Sequence, residues 1–160
     1  MTQIYFAAPL FSDAERHYNQ AVVNQLRQTL KDVEIFLPQE DDSINDKDSF
    51  ADSKKIALAD TEQVLSSQLL IAVLDGLVID PGVASEIGVA YQAGIPIIGL
   101  YTDARTNAGA TNPEKLAILQ EIAESQFSYI NLYTVGLIKL NGEVVASIDA
   151  LLEAIPAYLA

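Results

Sequence analysis

The sequence predicts an α/β fold in which a parallel sheet of about five strands carries helices on both faces. Residues 69–74 (Leu-Leu-Ile-Ala-Val-Leu) form a continuous apolar run, which is typical of a strand buried on both faces. Strand-like segments alternate with helix-like segments along the chain, and this order produces parallel strands joined by right-handed crossovers. No repeat or linker divides the 160 residues, so we expect one domain.

The strands are predicted from apolar stretches that end at proline, glycine or acidic residues. Pro9 ends the first strand, Pro38 stops the second, and Asp75 with Gly76 ends the central one. A later apolar stretch gives a fourth buried strand, and a short apolar pair gives the last. The predicted strands are 3–8, 33–37, 69–74, 95–101 and 129–130.

The helices are predicted mainly from their start signals. Ser12, with Glu15 three residues later, has the spacing of a capping box. Asn112 and Pro113 follow the usual order of a cap and a first helical residue, and Asn131 can cap a short helical turn. The predicted helices are 14–30, 50–67, one that follows Pro81 and Gly82 and stops at Gly94, 113–125, 132–135, and 147–159 with a kink at Pro156; Asn141-Gly142 predicts a turn.

Composition excludes several classes of function. Cysteine is absent, which rules out disulfides, thiolate nucleophiles and cysteine-bound metal, and a single histidine, His17, argues against a zinc site. The net charge of −13 would repel nucleic acids and anionic membranes, so we expect a neutral or weakly charged small molecule as the partner. The start lacks a secretory signal and no apolar run could span a bilayer, which predicts a cytoplasmic protein.

The segment after the central strand carries the strongest candidate site. Ligands of open α/β sheets bind outside the carboxyl ends of the strands, so Asp75, Asp80, Ser85 and Glu86 are expected to line one rim. Glu86 falls in or near the first helical turn, where the helix dipole favours an acidic residue for structural reasons alone. The same dipole would keep the carboxylate ionised, which suits a nucleophile, and small neighbours such as Gly82 and Ser85 leave room for a ligand. Both interpretations of Glu86 stand at this point.

Two further acidic features have alternative interpretations. Asp60 interrupts the helix face marked by Ile56 and Val64, so it lies either at a solvated stripe edge or against a cavity. Residues 39–49 are polar and acidic, and they form either a solvated surface loop or a lid over the rim.

Two motifs resemble those of the nucleoside 2-deoxyribosyltransferases. Residues 4–11 (Ile-Tyr-Phe-Ala-Ala-Pro-Leu-Phe) resemble the first-strand motif of that family. Asp80-x-Gly-x-x-x-Glu-x-Gly-x-Ala-x-x-x-Gly94 resembles its nucleophile motif, and Asp60 falls where the family keeps another aspartate. The resemblance covers about residues 4–135. It implies a flavodoxin-like fold and glycosyl transfer with retention of configuration.

The resemblance also implies roles for individual residues. Glu86 matches the nucleophile that attacks the anomeric carbon of 2-deoxyribose, and Tyr5 matches the tyrosine that holds its carboxylate. Asp60 and Asp80 match the aspartates near the leaving base and the sugar, while Phe11 matches an aromatic residue that packs on the base. This set agrees with the chemistry, because such a reaction needs a carboxylate nucleophile and a second acidic group, and an acidic site stabilises the cationic transition state.

The family is oligomeric, and Asn131 matches an asparagine that a neighbouring subunit lends to the 5′-hydroxyl. The expected partners are therefore deoxynucleosides, free nucleobases and further copies of the chain, with no metal or organic cofactor. A sister branch that hydrolyses deoxynucleoside monophosphates has a phosphate-contacting serine at the position of Asp80. An aspartate there would repel phosphate, which favours nucleosides over nucleotides.

Three functions remain open from the sequence. The first is exchange of bases through a deoxyribosyl-Glu86 intermediate. The second is an N-glycosidase, in which water replaces the acceptor base. The third is a binding module that holds a nucleotide-like ligand without turnover, although the presence of Glu86 argues against it.

Overall fold

Within residues 2–42, 52–105, 111–123 and 130–159, which the computed structural model describes, one parallel sheet of five strands forms the centre of the fold. Its order, β2-β1-β3-β4-β5, is that of the flavodoxin-like doubly wound folds, so the predicted fold class is confirmed. The strands are β1 (Thr2–Ala7), β2 (Val33–Phe36), β3 (Leu69–Val73), β4 (Ile97–Leu100) and β5 (Gly142–Val145).

Helices cover both faces of this sheet. One face packs against α1, α6 and α7, and the other packs against α2, α3 and α5. The helices are α1 (Asp13–Thr29), a 3-10 helix (Pro38–Glu40), α2 (Ser53–Ser66), α3 (Pro81–Gln92), α4 (Pro113–Ile118), α5 (Leu132–Leu140), α6 (Ile148–Ala154) and α7 (Pro156–Leu159). None of these described helices combines the length and apolar character needed to cross a membrane.

Strand alternation decides which side chains reach which face. In β1, Ile4 and Phe6 enter the core beneath α1, whereas Tyr5 and Ala7 enter the core beneath α3. All five residues of β3 are buried, as the apolar run predicts for a central strand covered on both sides. Tyr5 is therefore fixed on the face from which α3 approaches the sheet.

The start signals of the helices are confirmed. Ser12 and Glu15 form a complete capping box on α1, since the serine accepts from the Glu15 N–H and the glutamate accepts from the Ser12 N–H. Asn112 caps α4 and Asn131 caps α5. The helical turn predicted after Asn131 continues to residue 140, while α4 ends at residue 118 rather than at 125.

The predicted last strand is wrong. Ile130 lies outside any strand, and Tyr129 lies outside the described residues. The fifth strand is β5, which begins at Gly142, where Asn141-Gly142 predicted a turn. This edge strand is short and only its last residue is buried, so its sequence lacks a strong apolar signal.

The predicted lid falls mostly on residues that the structure does not describe. Residues 43–49 belong to that part of the chain, whereas Gln39 and Glu40 lie in the 3-10 helix. The first residues of the predicted helix 50–67 are also outside the described set, and α2 is described from Ser53.

Two glycines provide a test of the β4–β5 edge. A Cβ added at Gly142 would lie 1.8 Å from the carbonyl oxygen of Ile97, whereas one added at Gly136, inside α5, would have nothing within 4 Å. We expect Gly142→Ala to lower the free energy of unfolding by about 2–4 kcal/mol, because the strands must move apart. Gly136→Ala should instead raise it by about 0.5–1 kcal/mol through the gain in helix propensity. Urea unfolding of both variants checks this, and equal effects would contradict the β4–β5 pairing.

Candidate active site

A short hydrogen bond joins β1 to α3 in the centre of the candidate site. The hydroxyl of Tyr5 donates to Oε1 of Glu86 at 2.6 Å. Tyr5 is fully buried, and its ring stacks on Phe36 of the adjacent strand with centroids 5.5 Å apart. Burial, with the negative charge of Glu86 beside it, raises the pKa of Tyr5 far above its usual value, so the hydroxyl stays protonated and acts as a donor.

Glu86 lies near the first turn of α3, as expected. Asp80 is the N-cap of this helix, so Glu86 lies six residues later, in the second turn. Burial raises the pKa of Glu86 to about 7, and the nearby Asp60 and Asp80 add to this effect, while the Tyr5 hydrogen bond opposes it. Desolvation of Glu86 therefore opposes the ionised form that the helix dipole was expected to favour at neutral pH.

Glu86 opens onto a cavity of about 330 Å³ at the carboxyl edge of the sheet. An adjoining cavity of about 200 Å³ shares Asp60, Gly82 and Glu86 with it. The larger cavity is lined by Ala8, Leu10, Phe11, Pro38, Ile56, Asp60, Asp80, Gly82, Val83 and Glu86, and the smaller one by Ala57, Asp60, Thr61, Val64, Gly82, Ser85, Glu86 and Val89.

Asp60 faces these two cavities, which decides between its two interpretations. Its side chain is half-buried and close enough to Glu86 and Tyr5 to raise their pKa values. Burial raises the pKa of Asp60 itself, and Asp41 raises it further. Ile56, one turn earlier on the same helix, also lines the larger cavity, so the interrupted face of α2 is a cavity wall and the solvated-edge interpretation is wrong.

The start of α3 supplies the other polar groups. Oδ2 of Asp80 accepts from the Val83 N–H at 3.0 Å, so this carboxylate both caps the helix and lines the larger cavity. A Cβ on Gly82 would lie 2.9 Å from that oxygen and would displace the cap. Ser85 is exposed, donates to the carbonyl of Pro81 at 2.9 Å and lines the smaller cavity.

Asp75 lies at the carboxyl edge of the sheet, as expected, but it lines a different cavity from the other acidic residues. Its carboxylate accepts from the N–H and the hydroxyl of Thr102, both at 2.7 Å, because Thr102 follows the neighbouring strand β4. Asp75 and Thr102 line a separate cavity of about 410 Å³ together with Tyr18 of α1. The carboxyl edge thus carries cavities on the two sides of the sheet.

Of the two remaining predicted site residues, Phe11 lies at the larger cavity and Asn131 does not. Phe11 lines the larger cavity, although the residue is 81% exposed. Asn131 is absent from that lining, and its side-chain oxygen accepts from the N–H groups of Tyr133 and Thr134 at the start of α5. Within one chain the described residues therefore bring together Tyr5, Phe11, Asp60, Asp80, Gly82, Ser85 and Glu86, but not Asn131.

Several lining residues were not predicted as site residues. Leu10 and Pro38 follow β1 and β2 at the carboxyl edge, so their positions after predicted strands were a usable signal. Val83 gave no such signal, because an apolar residue in a helix is normally core. No group of three His, Asp or Glu side chains within the described part of the chain is arranged to hold a metal ion.

The family model for nucleoside 2-deoxyribosyltransferases matches residues 4–143. The chain therefore belongs to this family, as its motifs predicted. None of the curated proteins matches it in sequence.

Solved structures resemble the chain over nearly its whole length. A conserved protein from Enterococcus faecalis V583 is 62% identical, with 98% of each chain covered and a TM-score of 0.92. A 2-desoxiribosyltransferase from Leishmania mexicana is 20% identical, with 99% of this chain and 97% of that chain covered and a TM-score of 0.62. The CMP N-glycosidase BcmB from Clostridium botulinum is 17% identical, with 98% and 99% covered and a TM-score of 0.51. At such low identity the last two show a shared fold.

Burial of Glu86 predicts a pH-dependent cost to stability. Burial raises the pKa of Glu86 from its ordinary value of 4.5 to about 7, so the folded state binds more protons between these values and loses stability as the pH rises through them. Glu86→Gln keeps the acceptor for Tyr5 and removes the titration. We expect it to raise the free energy of unfolding by up to about 3 kcal/mol above pH 7 and to have little effect below pH 4.5.

Urea unfolding across this pH range measures the difference. Glu62→Gln, at an exposed position of α2, removes the same formal charge and serves as the control. A gain of equal size in both variants, or one that does not grow with pH, would show that net charge rather than burial is responsible.

Proposed function

We propose that this protein transfers 2-deoxyribose between nucleobases by double displacement, with Glu86 as the nucleophile. The observation that carries this proposal is the partly buried Tyr5–Glu86 hydrogen bond at the edge of a cavity that Asp60 also lines. A carboxylate nucleophile with a second acidic group nearby is the arrangement that retaining glycosyl transfer requires.

In the first step the Glu86 carboxylate attacks C1′ of the deoxynucleoside, and the bond from C1′ to the base nitrogen breaks. The electron pair of that bond goes to the base, and Asp60 supplies a proton to it. The pKa of Asp60 is raised by burial, which favours the protonated form that this role needs. Because Tyr5 engages Oε1 of Glu86, we assign the attack to Oε2.

In the second step a nitrogen of the incoming base attacks C1′ of the deoxyribosyl-Glu86 ester. The ester bond breaks, Glu86 leaves as a carboxylate, and the incoming base returns a proton to Asp60. The Tyr5 hydroxyl stabilises this leaving carboxylate, and the charges of Glu86 and Asp80 stabilise the cationic sugar in both transition states.

Neutral deoxynucleosides fit this cavity better than their 5′-monophosphates. Asp60, Asp80 and Glu86 all line it, so a phosphate group would meet negative charge whenever they are ionised. The family of the chain supports the same substrate class.

The proposed site is completed by a second copy of the chain. Asn131 lies away from the cavity of its own chain, whereas the family resemblance assigns it to the 5′-hydroxyl in a neighbouring subunit. Beside it, Leu132 is 84% and Tyr133 is 76% exposed, and such apolar exposure is typical of a surface that another chain covers.

Hydrolysis is the second candidate function. In the single chain Phe11, which lines the larger cavity, is 81% exposed, so this wall is open to water unless the second copy covers it. The structural neighbour BcmB, which is named as a CMP N-glycosidase, has the same fold. In this alternative the first step is unchanged and water attacks C1′ in the second.

Incubation of the protein with deoxyinosine and free adenine distinguishes these functions. We expect deoxyadenosine to form, together with a deoxyribosyl adduct on the peptide that contains Glu86, detected by mass spectrometry. Glu86→Gln, which keeps the Tyr5 contact, should form neither. Release of hypoxanthine without deoxyadenosine would establish hydrolysis, and a lack of change with this and other deoxynucleosides, including monophosphates, would refute both.

A second variant tests the role of Asp60. Asp60→Asn keeps the shape of the side chain and removes its capacity to transfer a proton, so kcat should fall roughly 10²- to 10⁴-fold with an ordinary deoxynucleoside. A donor whose base already leaves readily should be affected much less, because its base needs no proton. Steady-state kinetics with the two donors measures this difference. Equal losses with both donors would mean that Asp60 positions the site and does not donate a proton.

A further inference from the structure

One wall of the larger cavity consists of two segments that do not belong to the sheet. The connection between β1 and α1 contributes Ala8, Leu10 and Phe11, and the 3-10 helix contributes Pro38 at its first residue. The acidic residues across the cavity, Asp60 and Glu86, lie on helices α2 and α3. The shape of the cavity therefore depends on what fixes these two segments relative to the rest of the fold.

A buried amide on α1 joins the two segments. Asn19 is 1% exposed, and its side-chain nitrogen donates to the carbonyl of Pro9 at 2.9 Å and to Oε1 of Gln39 at 3.1 Å. The side-chain nitrogen of Gln39 in turn donates to the backbone carbonyl of Arg16 at 3.0 Å. Asn19 thus holds the centre of the β1–α1 connection, and through Gln39 it holds the 3-10 helix.

Other contacts fix the far ends of the same segments. Glu15 accepts from the N–H groups of Phe11 and Ser12, at 3.0 and 2.7 Å, as part of the capping box. Glu40 pairs with Arg27 at 2.7 Å, but both side chains are 37% exposed, and ion pairs at such exposure contribute little. Among the described side chains, Asn19 is a buried one that bonds to both segments, so its removal leaves buried polar groups without that donor.

We propose that Asn19 is a positioning residue that sets the distance between the two wall segments and thereby selects which base the cavity accepts. This inference rests on the proposed function, because it concerns the same cavity. Asn19 itself does not line the larger cavity, so it acts on the substrate through the backbone of Pro9 and through Gln39.

The physical expectation differs for each substitution. Asn19→Ala removes both hydrogen bonds, so each segment can move independently. Asn19→Asp keeps the shape but places a carboxylate oxygen against the carbonyl of Pro9, which repels the β1–α1 connection. Gln39 can donate to this carboxylate only by turning its amide and giving up its bond to the Arg16 carbonyl. Gln39→Ala removes only the contact to the 3-10 helix and leaves the bond between Asn19 and Pro9 intact. Because Gln39 is less buried than Asn19, this substitution is less disruptive to folding.

The experiment compares kcat/KM for a purine and a pyrimidine deoxynucleoside in each variant. We expect Asn19→Ala and Asn19→Asp to lower kcat/KM for the preferred donor roughly 10²-fold, mainly through KM, and to bring the ratio between the two donors towards one. Gln39→Ala should change that ratio in the same direction by a smaller factor.

Asn141→Ala is the matched control. The side-chain nitrogen of Asn141 donates to the carbonyl of Ile95 at 2.8 Å, at the amino end of the sheet and away from the cavity. It should lower the thermal midpoint without changing the ratio between donors. If the ratio is unchanged in all Asn19 and Gln39 variants, or if Asn141→Ala changes it equally, then Asn19 contributes only to stability and the inference is overturned.

A separate readout keeps this inference distinct from the proposed function. If the wild type shows neither transfer nor hydrolysis, the proposed function fails, and the link made by Asn19 is then tested by hydrogen exchange. Backbone amides of residues 10–12 and 40–41 should exchange at least tenfold faster in Asn19→Ala than in Asn141→Ala. Equal exchange in these segments would show that Asn19 does not hold them.

Discussion

The carboxyl edge of the sheet depends on the burial of one carboxyl group, that of Glu86. Desolvation disfavours its charged form, and the hydroxyl of Tyr5 is the group that opposes this by donating at 2.6 Å. The donor can lie there only because β1 pairs with β3 in the register that sets Tyr5 beside Leu70, and because alternation along β1 turns Tyr5 towards α3. The protonation state of Glu86 therefore depends on strand register and on the placement of α3. Packing of Tyr5 against Phe36 keeps the hydrogen-bond donor in position.

Local signals in the sequence were sufficient for much of the fold. The apolar run of β3 predicted a central strand, and the polar residues Ser12, Asn112 and Asn131 predicted helix starts, because each supplies a side-chain acceptor for backbone N–H groups. Strand β5 could not be predicted in the same way. Its pairing depends on the close approach of Gly142 to Ile97, which is a property of the assembled sheet and not of the segment.

The candidate site was also predictable only in part. The motif around Glu86 predicted the side chains that line the cavity, since helix spacing and strand order bring them to one edge. The sequence could not show how far the carboxyl group of Glu86 is removed from water. The helix dipole favours the ionised form of a solvated glutamate near a helix start, whereas burial raises the pKa of Glu86. Asp75 illustrates a second limit, because its hydrogen-bond donors belong to Thr102, which follows the neighbouring strand β4 and is distant in sequence.

The cavity is assembled from two layers of the fold that differ in how they are anchored. Glu86 and Tyr5 belong to the sheet and the helix packed on it, whereas Ala8, Leu10, Phe11 and Pro38 lie on connections tied to α1 on the opposite face. The contacts that hold the connections, made by Glu15 and Asn19, are separate from the hydrogen bond between Tyr5 and Glu86. Under the proposed function, substitutions on the connections are therefore the simplest route by which a lineage with this architecture changes its ligand preference and keeps its chemistry.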